Sequence, residues 1–245
     1  MNAEELRNAL ITKSFDGFVT DESNQAAYDA CKWMCEHNGT GSSLILIGPE
    51  DCGKTHLLRS VSSAFESGNP KRKVKLTCGE DVGGRIIHCM VRQEEGGMNK
   101  LLSEYLKNDV IIIDDIDFLI GKSYVEGVFN DFIKRANLEE KLLLLSIRDS
   151  SYSEKILNPE LRDLLSNMRN VQFGEQSFNL RRKWMSSVIT SKIENFPLNI
   201  AEQILDHTKS IRDCVGAVIY YKACVEHDKM SLWDEHLRQL KEQQE

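Results

Sequence analysis

Leu44-Ile45-Leu46-Ile47-Gly48-Pro49-Glu50-Asp51-Cys52-Gly53-Lys54-Thr55-His56-Leu57-Leu58 is the stretch from which the rest of the chain can be read. An aliphatic run ends at a glycine, as a strand covered on both faces does. From Lys54 to about Phe65 apolar positions return at helical spacing. Strand, glycine-bounded loop and helix in that order open a parallel α/β sheet. Gly48 to Thr55 also satisfies G-x-x-x-x-G-K-[ST], and chemistry explains the spacing. The glycines let the backbone of Gly48-Pro49-Glu50-Asp51-Cys52-Gly53 curl so that its N–H groups, which every one of these residues but Pro49 supplies, converge on phosphate oxygens. The Lys54 ammonium neutralises the β and γ phosphates, Thr55 offers a hydroxyl to Mg²⁺, and the helix start adds its dipole. ATP or ADP with Mg²⁺ is the implied cofactor. Cys52 is expected to point away from the phosphates as an inert thiol, and His56 to be a plain helix residue.

Working outward, Asn24 to His37 reads as a helix and is followed by the polar breaker His37-Asn38-Gly39-Thr40-Gly41-Ser42-Ser43. Strands are predicted at Val74 to Thr77, Val110 to Ile113, Lys141 to Ser146 and Val171 to Phe173. Helices are predicted at Leu101 to Lys107 and Val125 to Arg135, and helical patterns fill the chain from Asn179 onward. Residues 79 to 98, with five glycines and mixed charge, resist any reading. The simplest parse is an α/β nucleotide-binding domain over residues 1–175, with a parallel sheet, followed by a small α-helical domain over 176–245.

A nucleotide site of this kind needs carboxylates at the end of a neighbouring strand. Val110-Ile111-Ile112-Ile113-Asp114-Asp115 supplies an apolar strand and then two acids. Asp114 is assigned to the metal, mostly through water, and Asp115 to the general base or water-positioning role. Asp117 is read as structural.

Composition narrows the function classes. The 245 residues are 41% hydrophobic and 28% charged, the proportions of a soluble globular protein with a substantial core. Lys and Arg total 31 against 38 Asp and Glu, so a net charge of -7 excludes a surface that is basic all over, as a general nucleic-acid coat would be. The longest aliphatic runs fall far below the ~18 apolar residues of a membrane span. The acidic start, Met1-Asn2-Ala3-Glu4-Glu5, lacks the apolar segment of a signal peptide, so a cytoplasmic location is expected. Seven cysteines without a single CxxC pair support neither a disulfide framework nor a zinc ribbon. Cys31 and Cys35, near His37, are read as thiols on a helix packing face rather than as metal ligands. Lys71-Arg72-Lys73 and Arg181-Arg182-Lys183 are read as solvated faces.

Several segments together carry a family resemblance. Asn108-Asp109-Val110-Ile111-Ile112-Ile113-Asp114-Asp115-Ile116-Asp117-Phe118-Leu119-Ile120-Gly121-Lys122 resembles the Walker B segment of DnaA, the bacterial replication initiator. Gly53-Lys54-Thr55-His56-Leu57-Leu58 is similar to that family's Walker A and its helix. Phe15-Asp16-Gly17-Phe18-Val19, followed by Ser23-Asn24-Gln25, resembles the segment that opens the DnaA ATPase domain and touches the adenine. Ser210-Ile211-Arg212-Asp213-Cys214-Val215-Gly216-Ala217 resembles the helix that carries the sensor II arginine. The likeness runs from about Phe15 to about Leu240 and implies an AAA+ fold, an α/β P-loop ATPase body with a small helical lid.

By that resemblance Phe18 and Val19 face the base, Ser146 takes the sensor I position, and Arg212 senses the γ-phosphate. Arg169, within Asn167-Met168-Arg169-Asn170, matches the arginine-finger region loosely. Two readings of it stay open, a finger reaching a neighbouring subunit's nucleotide and a surface arginine. The implied activity is a slow ATPase acting as a nucleotide-dependent switch in replication initiation or its regulation. The implied partners are DnaA-like or helicase proteins, or further copies of the chain through ATP, with weak single-stranded DNA binding and no membrane. DnaA's duplex-reading helix-turn-helix has no counterpart before Glu245, and no clamp-binding motif like that of the short DnaA relative Hda is seen, so no sequence-specific duplex binding is expected. The alternatives are a non-catalytic nucleotide-bound adaptor and a helicase-loader ATPase of a mobile element.

Overall fold

Strand runs rich in Val, Ile and Leu form one sheet whose order is β2-β3-β4-β1-β5. They are β1 (Leu44–Ile47), β2 (Val74–Cys78), β3 (Val110–Asp114), β4 (Leu142–Ile147) and β5 (Arg169–Gln172). Every pairing is parallel. In this computed structural model the described residues are 3–10, 14–37, 39, 43–92, 96–148, 156, 158–193 and 195–242. Part of the predicted polar breaker, Asn38 and Thr40 to Ser42, lies outside them.

Parallel strands must be covered on both faces, and β1 and β4 are buried at every position. Alternate residues serve the two faces. Ile45, Ile47, Ile111, Ile113, Leu143 and Leu145 share a core with apolar residues of α4 (Gly79–Arg92), α5 (Gly97–Leu106), α6 (Ser123–Leu138) and α7 (Pro159–Ser166). The chain's earlier helices are α1 (Ala3–Leu10), α2 (Gln25–Glu36) and α3 (Lys54–Gly68). Of these, α3 packs on β2, β3 and β4, while α2 packs on α3 and β5. The register sets Ile47 beside Ile147, Leu46 beside Ser146 and Ile113 beside Leu145. The ends of β1, β3 and β4 are therefore neighbours, and the loops that leave them share one edge.

Asn24 to Gly174, with Ser14 and Phe15, make up this sheet unit. The second compact unit holds the residues from Glu175 on, joined by α1 and Asp16–Ser23. Its helices are α8 (Phe178–Trp184), continued by a π-helical turn at Met185–Ile189, then α9 (Leu198–Asp206), α10 (Ile211–Glu226) and α11 (Met230–Glu242). Leu6 and Leu10 of α1 are buried in the same core as Trp184, Ile204, Val218 and Trp233. Asp21 accepts from Ser177 Oγ at 2.6 Å, and Lys183 Nζ donates to the Thr20 carbonyl at 2.9 Å. These bonds and that apolar face group the N-terminal residues with the helices instead of the sheet.

The unread residues 79 to 98 contain α4, whose Val82 and Ile86 are buried despite the nearby glycines. The helix α7 lies where no element is predicted, although Asn158 caps it, accepting from Glu160 N and Leu161 N, with Pro159 following at the helix start. The strand β5 begins at Arg169, two residues before the predicted start, and Phe173 lies beyond its end. Arg181 is no simple solvated residue: its Nη1 donates to the carbonyls of Gln176 (3.0 Å) and Lys209 (3.3 Å). Among the described residues no helix is long and apolar enough to cross a membrane.

Candidate nucleotide site

The loop after β1 is curled by two left-handed residues, Asp51 (φ 58°) and Gly53 (φ 111°). Such a conformation is routine for glycine and uncommon for other residues. It brings the loop back over the start of α3, where Lys54 is the first helical residue and only 6% exposed. A buried ammonium needs acceptors. Lys54 Nζ finds them in its own loop, donating to Gly48 O at 2.7 Å and Pro49 O at 2.6 Å, with Cys52 Sγ at 3.7 Å. Those carbonyls are neutral, and a phosphate oxygen carrying charge makes the stronger bond. Burial pushes the Cys52 thiol up from its ordinary pKa, against the pull of Lys54, so the sulfur is a neutral thiol. His56 Nε2 lies 3.2 Å from Ser14 O, and burial lowers its pKa.

At the end of β3 the two acids differ in setting. Ser146 on β4 is fully buried, and its hydroxyl donates to Asp114 Oδ1 at 2.5 Å. Ser146 Oγ in turn accepts the Asp115 backbone N–H at 2.8 Å. One serine thus fixes the carboxylate of the first acid and the backbone of the second. Asp115 sits at φ 51°, ψ 59°, a left-handed conformation costly for a residue with a Cβ and typical of functional sites. Burial raises its carboxyl above the usual range, the Asp114 charge adds to that, and Lys54 opposes it. Gly79, opening α4, packs against this turn; a Cβ there would stand 2.3 Å from the Asp115 carbonyl oxygen.

Asp117 is bonded to a residue that the sequence does not single out. Arg148, just past β4, donates from Nε to Asp117 Oδ1 at 3.0 Å and from Nη1 to Glu50 Oε1 at 2.7 Å. Arg148 thereby links the segments that follow β1, β3 and β4. The only advance signal was its place two residues after Ser146.

Among the described residues, no group of three or more His, Cys, Asp or Glu side chains forms a protein cage for a metal. Thr55 and Asp114 are oxygen donors of the kind Mg²⁺ takes, and that ion needs no full protein cage because it keeps waters and shares phosphate oxygens. The sheet unit thus gathers Gly48 to His56, Asp114, Asp115 and Ser146. Phe18, Val19 and Arg212 belong to the helical unit, where Val19 packs on the core. Arg212 is the second residue of α10, whose start is fixed by a Ser210–Asp213 capping box and by Gln176 Oε1 accepting from Ile211 N at 2.6 Å. Arg169 pairs with Leu44 at the strand beginnings, so it sits at the opposite end of β1 from the loop Gly48–Thr55 of its own chain. Its guanidinium lies over the Trp33 ring, 6.0 Å from the centroid.

The family model for the bacterial DnaA ATPase domain matches residues 11–166. The chain belongs to the bacterial DnaA ATPase domain family. Chromosomal replication initiator DnaA of Thermotoga petrophila is 25% identical over 216 residues, 85% of this chain and 48% of that protein. The chain spans about half the length of the curated relatives it matches. Domain III of Thermotoga maritima DnaA superposes with a TM-score of 0.78 at 22% identity, covering 87% of this chain and 90% of that one. A replication initiator DnaA bound to AMPPCP and single-stranded DNA superposes with a TM-score of 0.74 at 19% identity, covering 89% and 68%. The AAA+ fold expected from the DnaA resemblance is the fold observed.

Proposed function

We propose that the chain binds ATP with Mg²⁺ at the loop Gly48–Thr55 and hydrolyses it slowly, using the nucleotide state as a switch in DNA replication initiation or its control. The observation that carries this reading is the Ser146 bridge. A hydroxyl that holds Asp114 and the Asp115 backbone together sets two acids at fixed positions beside a curled loop with a buried lysine. Lys54 would exchange its carbonyl partners for phosphate oxygens, and Thr55 and Asp114 would hold the metal. Mg²⁺ supplies neutralisation of the β and γ phosphates. Asp115 would orient the attacking water and accept its proton, a task that a carboxyl pKa raised above the usual range favours. Phe18 and Val19 are proposed at the adenine, Arg212 at the γ-phosphate, and Arg169 as a finger into a neighbouring copy.

Membership of the DnaA ATPase family supports a cytoplasmic role with DnaA-like or helicase partners, or with further copies of the chain through ATP. A DnaA of this fold bound to single-stranded DNA supports weak, salt-sensitive contact with single strands. The test separates binding from turnover. Lys54→Ala is expected to lose ATP binding by roughly a hundredfold or more, since it removes charge-assisted bonds worth about 3 kcal/mol. Asp115→Asn keeps binding and loses turnover. Unchanged binding in Lys54→Ala refutes the loop assignment, and unchanged turnover in Asp115→Asn leaves a nucleotide-bound adaptor as the reading.

A further inference from the structure

Glu50 is an odd residue to find in a phosphate loop. Its carboxylate is 73% exposed, lies four residues before Lys54, and carries the same sign of charge as a polyphosphate. Uncovered, it would repel the ligand the loop is built to hold. Arg148 covers it at 2.7 Å. The arginine is itself held in place: Asp117, whose side chain is 4% exposed, accepts from Arg148 Nε at 3.0 Å and from the Arg148 backbone N–H at 3.2 Å. An exposed ion pair contributes little to stability, so the fold gains little from it. Its position is what counts, because one partner is in the loop that meets the phosphates.

We infer that Arg148 is a charge mask for the phosphate loop: anchored by Asp117, it neutralises Glu50 and so sets the affinity of the site for anionic nucleotides. This rests on the reading of Gly48–Thr55 as the ATP loop. Arg148 is a positioning residue that acts through Glu50. Because the mask concerns charge, it acts on ATP and ADP alike and weakens as salt screens the pair.

The experiment titrates full-length wild type and variants with a fluorescent ATP analogue at low and physiological salt. Arg148→Met is expected to weaken binding about three- to tenfold, in the range of one exposed charge near the ligand. The double variant Arg148→Met with Glu50→Gln regains most of the lost affinity, a rescue that a purely structural role for Arg148 would not show. Glu50→Gln alone, at an exposed side chain whose replacement spares the core, tightens binding about two- to threefold, since the released guanidinium then acts unopposed. Loss in Arg148→Met without rescue overturns the mask. Unchanged or weaker binding in Glu50→Gln also overturns it, even where the Arg148 variants do not fold. A wild type that binds no ATP, or a Lys54→Ala variant that binds as well as wild type, refutes the ATP loop itself. Normal loss in Lys54→Ala beside an indifferent Arg148→Met refutes the mask alone.

Discussion

The sheet unit and the helical unit reach order by different routes. In the sheet unit the groups that matter sit where strands stop: Lys54 after β1, Asp114 and Asp115 at β3, Ser146 and Arg148 at β4. Each is a few residues from a run whose apolar character is plain in the sequence, and the parallel register brings the loops together. In the helical unit nothing is so local. Its core takes Leu6 and Leu10 from one end of the chain and Trp233 and Leu237 from the other. The segment carrying Phe18 and Val19 is tied to it by Asp21 on Ser177 and by Lys183 on Thr20. Chemistry concentrated at strand ends needs only a register, whereas a core drawn from both chain ends needs the whole chain folded.

The comparison can be broken most forcefully at Trp233. This ring is 1% exposed and packs edge-on to Tyr221 at 5.3 Å between centroids. Trp233→Ala is expected to destabilise the helical unit by about 3–5 kcal/mol through loss of burial and the cavity left behind. Hydrogen exchange followed through a urea titration reads the two units separately. Protection lost in α8 to α11 and α1 while the strands stay protected supports two routes, and simultaneous loss in both units would merge them.

A smaller effect is expected at Ser146. Ser146→Ala leaves the Asp115 N–H and the Asp114 carboxylate without their shared partner, at a cost of about 1–3 kcal/mol for a buried unsatisfied group. Turnover should fall by roughly tenfold or more while ATP affinity changes little, since the phosphate cradle lies elsewhere. A loss of affinity equal to the loss of turnover would move Ser146 into the binding loop's support.

The smallest effect is expected at Arg212. Only ATP offers it a γ-phosphate, so Arg212→Ala should narrow the difference between ATP and ADP affinities by about tenfold, or 1.4 kcal/mol. The fold should be spared because the Ser210–Asp213 cap does not use this side chain. Equal weakening for both nucleotides would show that the residue does not distinguish them.

Much of the sheet unit was legible because its signals are short-range. A buried parallel strand is a continuous apolar run, and β1, β3 and β4 all read that way. The α4 helix was hidden because glycine lowers helix propensity, and its stability comes from Val82 and Ile86 against the sheet core. There Gly79 has a use that no pattern discloses, since it lets the helix start against the Asp115 carbonyl. Arg148 was missed for a related reason. An arginine after a strand is unremarkable until its partners are known, and Glu50 and Asp117 lie 98 and 31 residues away in sequence. The residues from Asn179 on have helical patterns, yet nothing in their periodicity says that α1 completes their core.

By itself the sequence determined that a G-x-x-x-x-G-K-[ST] loop follows the first strand, that two acids end another, and that the family is that of the DnaA ATPase domain. These depend on residue type at fixed spacing, and covalent neighbours carry that information. Only the tertiary structure decided that Ser146 joins the two acids, that Lys54 holds its own loop carbonyls, that Arg148 couples three loops, and that α1 belongs with the C-terminal helices. Hydrogen bonds and buried contacts between distant segments exist only once the register and packing are set, because their directions come from the fold and not from the order of residues.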